Sequence, residues 1–446
     1  MIKKIFAFLS ILIIFCSKAE RYRGSSFHKL SNGTSVVLVD TEKSDSLLVI
    51  LCISSGSSNE IDKFGVANLL NYILAKKLKA ATELDALQYG SESNSYTGHD
   101  QSVYYLYGKL ENLEGFLKNL SKILSSSGIT EEDADDAKQV MKRRAEEEEQ
   151  KDRSVIKSEA RRSVYWHSNY GNSVMGTLDA IESALKTDIE NYKNRNYTPK
   201  NTTLVIVGNI DKNLAMENVS KYFGQEVQFP SNTSAVSRVQ EPPHHDSVTK
   251  ITKYSSQVNC LVVDIYWRIP NYRSQGKAAL SAEIFINYLL EELRERLVDE
   301  QKVVVSMSSS YSLWNYDGGD LCLTVTFRKS DDIEECIAAV LSEIQYLVSE
   351  KISAKDAEKF SKKISDASNV FYMDTEFSTW SNWVIPKIGS GNDLDFLKSY
   401  SSWSKKYNLD EINAQGRAIF KNGPCVISIT KPTENSYEHN VHTISS

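Results

Sequence analysis

Residues 36–54 are almost all aliphatic or β-branched, broken only by a polar stretch at 40–46. Near-continuous apolar runs mark strands buried on both faces, so the pattern predicts two strands, followed by a loop over 56–60. The period then changes. Val66, Leu69, Leu70, Ile73, Leu74 and Leu78 recur three and four apart, which predicts a helix over 64–79. Residues 93–107 predict a strand pair and 110–124 an amphipathic helix. Thr130 followed by Asp133 predicts a capped helix start. That helix continues into the charged run 142–152, read as a solvated face.

The second half repeats this order. A strand is predicted over 260–267, a helix over 277–296, two strands within 303–327 around Asp317-Gly318-Gly319, and a helix over 332–348. Ile352-Ser353-Ala354-Lys355-Asp356-Ala357 then matches Ile129-Thr130-Glu131-Glu132-Asp133-Ala134 in place and character. The shared order predicts an internal duplication. The expected fold is α+β: two similar halves, each a mostly antiparallel sheet packed with helices, facing across a cleft. Between them lies 229–247, with Pro230, Pro242, Pro243 and the pair His244 and His245, read as a linker. The expected domains are 20–228 and 248–446. Paired halves leave a cleft of the kind that takes ligands, which Tyr104, Tyr105, Tyr311 and Trp314 could line; aromatics at strand positions are more often core.

The N-terminus adds an address. Lys3 and Lys4 precede an apolar run at 5–15 and the small-residue site Ser17-Lys18-Ala19, the pattern of a signal peptide over 1–19. The run is too short for a membrane anchor, and no later stretch is long and apolar enough to span. Cys16 as a lipid-modified cysteine is disfavoured by the bulk of Phe15 before it. Composition changes little: 446 residues, 41% apolar, 25% charged, net charge -6. Mild acidity without a basic stripe excludes a nucleic-acid partner. Cys52, Cys260, Cys322, Cys336 and Cys425 form an odd, widely spaced set rather than a disulfide framework, and Cys52, Cys260, Cys322 and Cys425, inside apolar runs, read as buried thiols.

Several ordered segments carry a family resemblance. Leu30-Ser31-Asn32-Gly33 precedes the first strand, Gly56-Ser57-Ser58-Asn59-Glu60 follows the second, and Gly65-Val66-Ala67 opens the helix. Asn94-Ser95-Tyr96-Thr97-Gly98-His99-Asp100 runs into Val103-Tyr104-Tyr105, and Tyr170-Gly171 is followed by Met175-Gly176-Thr177. Tyr197-Thr198-Pro199-Lys200-Asn201 leads into Leu204-Val205-Ile206-Val207-Gly208. Trp267-Arg268-Ile269-Pro270-Asn271-Tyr272 and Leu297-Val298-Asp299-Glu300-Gln301-Lys302 extend the set. In this order the chain resembles the pitrilysin (insulinase) family of metallopeptidases, in its short bacterial form. The resemblance implies a zinc site on the first helix, His-x-x-Glu-His, where two imidazoles bind the metal and the Glu activates its water.

Here the motif falls on Asn68-Leu69-Leu70-Asn71-Tyr72. Asn68 and Tyr72 replace the histidines, Asn71 replaces the general base, and the distal Glu position aligns with Arg144. Amide, phenol and guanidinium groups do not make a zinc site, so no catalytic residue, no metal ligand and no cofactor are expected, although zinc serves active members. His28, His99 and His167 form no local pair, and His439 and His442 lie in a polar tail. Zinc-less relatives acting as partner subunits supply an Arg and a Tyr from the second half. Those positions carry Val298 and Val305; shifting to Arg294 puts Gln301 at the Tyr.

The resemblance also implies that Asn94, Ser95, Tyr96 and Thr97 form an edge strand, either a peptide-pairing strand or an ordinary sheet edge. The expected function is an exported, periplasmic or extracellular, non-catalytic family member. It would bind a peptide or unfolded segment in its cleft, or form a hetero- or homodimer with a related active subunit. The alternative is an active metalloendopeptidase with an atypical metal site.

Overall fold

The computed structural model describes residues 22–41, 45–61, 63–89, 92–125, 128–224, 247–328, 332–370, 400 and 402–433. The signal peptide with Cys16, residues 229–246 of the linker with His244 and His245, and the tail with His439 and His442 lie outside the described residues.

The two apolar runs form β2 (Ser35–Thr41) and β3 (Ser46–Ile53). Both are buried on two faces, as their composition requires. Leu47, Val49, Leu51 and Ile53 pack toward helices, while Leu48, Ile50 and Cys52 join a second apolar layer on the opposite face. With β1 (Tyr22–Lys29), β4 (Glu92–Thr97), β5 (Ser102–Lys109) and β6 (Thr202–Gly208) they make a six-stranded sheet ordered β1-β2-β6-β3-β5-β4. The β2–β6 pair is parallel and the other pairs are antiparallel. The first helix, α1 (Val66–Tyr89), lies on the helix-side face and runs ten residues beyond the predicted end at 79. Around it stand α2 (Leu113–Ser125), α3 (Glu131–Glu149), α5 (Leu178–Ser183), α6 (Lys186–Asn196) and α7 (Lys212–Phe223). The charged run is not one helix: it breaks at Gln150 and Lys151, and α4 (Asp152–Val164) follows.

The second half repeats the connectivity. Strands β7 (Thr249–Ser255), β8 (Leu261–Ile269), β9 (Val304–Ser312), β10 (Gly319–Phe327) and β11 (Val426–Pro432) are ordered β7-β11-β8-β10-β9. The β7–β11 pair is parallel, and the rest are antiparallel. Strand for strand this is the first sheet without β1, which establishes the duplication. The helices follow suit: after the short α8 (Tyr272–Gln275), α9 (Lys277–Arg294) lies where α1 lies, and α10 (Ile333–Glu350), α11 (Ala354–Val370) and α12 (Leu409–Phe420) match α2, α3 and α6. The two aligned segments are matching caps. Thr130 and Ser353 each accept from the N–H three residues on, and Ile129 and Ile352 are both buried.

The halves are bolted together by α4. It continues the first half's chain but packs Ala160 and Val164 against Tyr266, Cys322 and Val426 on the outer face of the second sheet. Cys52, Cys322 and Cys425 are buried free thiols, and burial pushes Cys52 up to about 12; Cys260, expected to be buried, is only half-buried because it precedes the first residue of β8.

Candidate functional site

The loop before α1 is strapped to the β4–β5 turn. The Ser57 and Ser58 N–H groups donate to the Gly98 and His99 carbonyls. A Cβ at Gly56 would lie 2.2 Å from the Gly98 oxygen, so only glycine admits this approach. Buried Glu60 then caps α1, its carboxylate accepting from Gly65 N–H at 3.0 Å and Ala67 N–H at 2.8 Å. Burial raises its pKa to about 8, while these backbone donors pull the other way. Helix and edge strand are thereby held in fixed relation.

On α1, Asn71 is 4% exposed. Its amide donates to the Tyr96 carbonyl at 3.3 Å, and its oxygen accepts from the Ser95 hydroxyl at 2.9 Å. The residue at the base position is thus a strut between α1 and β4. Asn68 donates to the Met141 sulfur at 3.4 Å. The Tyr72 hydroxyl donates to Asp136 at 3.3 Å, and Lys76 pairs with the same carboxylate at 2.9 Å. That hydrogen bond holds the Lys76 ammonium above its usual range and Asp136 below its own. The α3 side chain meeting Asn68 is Met141; Arg144 is exposed three residues further on. An amide, a thioether and a phenol do not fit zinc, which takes imidazole, thiolate or carboxylate. Among the described residues no three His, Cys, Asp or Glu side chains gather around a common point. No hydrolytic step through a metal can be built from these groups.

Among the described residues the strand β4 is an edge, paired with β5 alone. Gly98 N–H donates to the Gln101 carbonyl at 2.8 Å and closes the hairpin. Antiparallel pairs alternate between bonded and non-bonded. Counting back through the register, Tyr96–Val103 and Asn94–Tyr105 are bonded pairs, so the backbone groups of Ser93, Ser95 and Thr97 face the open side. Asn94 Oδ1 accepts from the Ser95 N–H at 2.8 Å, covering one of them. Between β4 and α1 runs an open groove of about 470 Å³, lined by Tyr72, Ala75, Lys76, Lys79, Ser93, Asn94 and Ser95 among others. Of the predicted edge residues, Asn94 and Ser95 line it. The Tyr96 ring turns to the opposite face and its hydroxyl accepts from Gln101, and the Thr97 hydroxyl meets Ser102.

The predicted cleft aromatics do not gather there. Tyr104 is wholly buried in the first core, bonded to the Tyr197 hydroxyl, because its strand position faces the helices. Tyr311 accepts from Asn287, and Trp314 stacks on Tyr272 at 4.1 Å. In the second half, Val298 packs on the core, while Val305, Arg294 and Gln301 are exposed.

Two features escape the motif reading. Asp100 on the β4–β5 turn accepts from Ser58, Tyr170 and, across the halves, the Tyr316 N–H at 2.9 Å. Beside it the imidazole of His99 is driven down to about 3, first by burial and then by the Arg161 charge. The second feature is a repeated tetrad, Asn71-Tyr72-Ile73-Leu74 on α1 and Asn287-Tyr288-Leu289-Leu290 on α9. In each half the Asn reaches its own sheet's edge strand, β4 or β9. In each the Tyr touches the capped helix, Asp136 on α3 or Phe360 on α11. The repeat was legible in the sequence, but its meaning needs the topology that superposes α1 on α9.

Comparison with known proteins gives consistent matches. A family model described as insulinase (peptidase family M16) matches residues 35–178, and one described as peptidase M16 inactive domain matches 184–362. The zinc protease PqqE of Helicobacter pylori is 22% identical over 421 residues, covering 90% of this chain and 92% of that protein. The mitochondrial-processing peptidase subunit beta of Neurospora crassa is 24% identical over 252 residues, 54% of this chain and 53% of its own. The chain therefore spans about half the length of that mitochondrial relative. Among solved structures, a protease from Helicobacter pylori superposes with a TM-score of 0.78 at 18% identity, covering 92% of this chain and 100% of that one. The periplasmic protease PqqL from Escherichia coli gives 0.75 at 15%, covering 94% and 49%.

Proposed function

This chain belongs to the insulinase family of peptidases, family M16, and from that membership we propose that it is an exported, non-catalytic member that holds an extended peptide along β4. It works as the partner of an active relative. The observation that carries this reading is the shared role of Asn71 and Asn287. At the base position of the first half stands a residue tied to the edge strand as its counterpart is tied in the half that matches the inactive-domain model. The Tyr72 phenol and the Asn68 contact with Met141 support it, since neither leaves an anionic or imidazole donor for a divalent ion. The open backbone groups of Ser93, Ser95 and Thr97 support the peptide role, because strand addition relies on main-chain hydrogen bonds. Export rests on the signal pattern at 1–19. Partnership rests on the relatives, some of which are named as subunits of a peptidase.

The test is metal analysis of the purified protein beside a peptide-hydrolysis assay with and without chelator. The expected result is zinc far below one per chain and no chelator-sensitive cleavage. Stoichiometric zinc with cleavage that a chelator abolishes overturns the reading and leaves an active metalloendopeptidase with an atypical site.

A further inference from the structure

We propose that the groove between α1 and β4 selects an extended polypeptide segment carrying carboxylate side chains. The inference rests on the peptide-holding reading above and adds the chemistry of what is held. Lys76 and Lys79 stand one helical turn apart on α1, both exposed, on the groove wall opposite Ser93, Asn94 and Ser95. In a zinc peptidase this wall would present a metal and its carboxylate base. Here it presents ammonium groups, hydroxyls and amides.

The acids nearby cancel that charge only at Lys76, which pairs with Asp136. Asp136 takes the Tyr72 hydroxyl and one Lys76 contact, on the α3 side of the helix. An ammonium has three donors, so Lys76 keeps donors for a ligand. Among the described residues Lys79 has no ion pair, and neither Asp136 nor any other acid lines the groove. Glu83 is one turn further along α1. Glu92 pairs with Tyr107, whose ring belongs to the opposite sheet face.

Geometry fits the charge. A strand added to the open side of β4 bonds to the groups of Ser93, Ser95 and Thr97 and sends alternate side chains toward α1, about 6.8 Å apart. Long lysine side chains on successive turns can meet two such carboxylates. The protein as a whole is acidic at -6, so a local cationic wall stands out from its surroundings and steers an acidic segment to this place.

The experiment is fluorescence anisotropy with the purified protein and two labelled peptides of equal length, Thr alternating with Glu in one and with Lys in the other. The expected result is binding of the acidic peptide about tenfold tighter at low salt, with the difference shrinking as salt screens it. Lys79→Glu, which leaves one ammonium and one carboxylate on the wall, is expected to abolish the preference without lowering thermal stability, since the side chain is exposed. Ser93→Pro, which removes an open edge N–H on the solvent side where proline is tolerated, is expected to abolish binding of both peptides. Equal binding of the two peptides overturns acid selection while the peptide-holding reading stands. Binding of neither overturns both. Undiminished binding to Ser93→Pro overturns the placement at β4.

Discussion

A carboxylate at position 71 would meet the same two groups that Asn71 engages, the Ser95 hydroxyl and the Tyr96 carbonyl. The hydroxyl could donate to it, but the carbonyl would face an ionised acceptor. An amide presents one donor and one acceptor and satisfies both, so the substitution suits a strut. Glu60 poses the opposite problem, an ionisable group buried at a helix N-terminus. Burial lifts it from the usual 4.5 to about 8 against the pull of two backbone donors. The folded state then keeps a proton that the unfolded chain releases. Its stabilising contribution is complete below 4.5 and is lost as pH rises toward 8. Glu60→Gln keeps an acceptor and cannot titrate. Wild type should therefore lose denaturant resistance relative to this variant between pH 5 and about 8.5. Parallel profiles, read from urea midpoints, would contradict a raised Glu60. His99 is common to both proteins and drops out of the difference.

At the level of elements, the duplication makes a quantitative demand. Thr130 and Ser353 cap α3 and α11 through the same bond to the third N–H, with a buried isoleucine before each. Thr130→Ala and Ser353→Ala should each cost about 1 kcal/mol in urea unfolding. A loss in one half and none in the other would mean the caps are alike in sequence only. These caps were legible because their bonds span three residues. So were β2, β3 and the first part of α1, whose apolar runs carry their own signal. The strand β7 was not: Thr249 to Lys253 is mostly exposed and polar, and it becomes a strand only because β11 pairs with it. The break at Gln150 and Lys151 was hidden because charge alone does not fix where a helix ends. That Asn68-Leu69-Leu70-Asn71-Tyr72 holds no imidazole was plain in the sequence, yet the partner of Asn71 lies 24 residues away in sequence. The Asp100 bond to Tyr316 spans 216 residues, and no local pattern announces it. The contact of Met141, three residues before Arg144, with Asn68 is a product of helix packing and is not set by spacing alone.

The whole molecule depends on α4, which belongs to one half by chain and to the other by packing. Its Arg153 reaches Asp264 on β8 at 2.8 Å and Thr430 on β11 at 2.8 Å, and Thr324 donates to the same carboxylate at 2.6 Å. Asp264 is fully buried, whereas the Arg153 side chain is 23% exposed. A buried pair of this kind adds little net stability over an apolar pair, because desolvation offsets the attraction, but removing one partner strands the other. Arg153→Met should cost about 3 kcal/mol, at the low end for such a loss because water reaches the guanidinium side. Adding Asp264→Asn, which removes the stranded charge, should recover part of it. The consequence reaches beyond the pair. Arg161, further along the same helix, and Tyr165, just past its end, bind Asp320, and Asp100 ties the β4–β5 turn to Tyr316. If α4 is the bolt, loosening its first turn should uncouple the halves, turning one cooperative unfolding transition into two separable by calorimetry. A single transition in Arg153→Met with wild-type stability would place the coupling elsewhere, in the Asp100 seam alone.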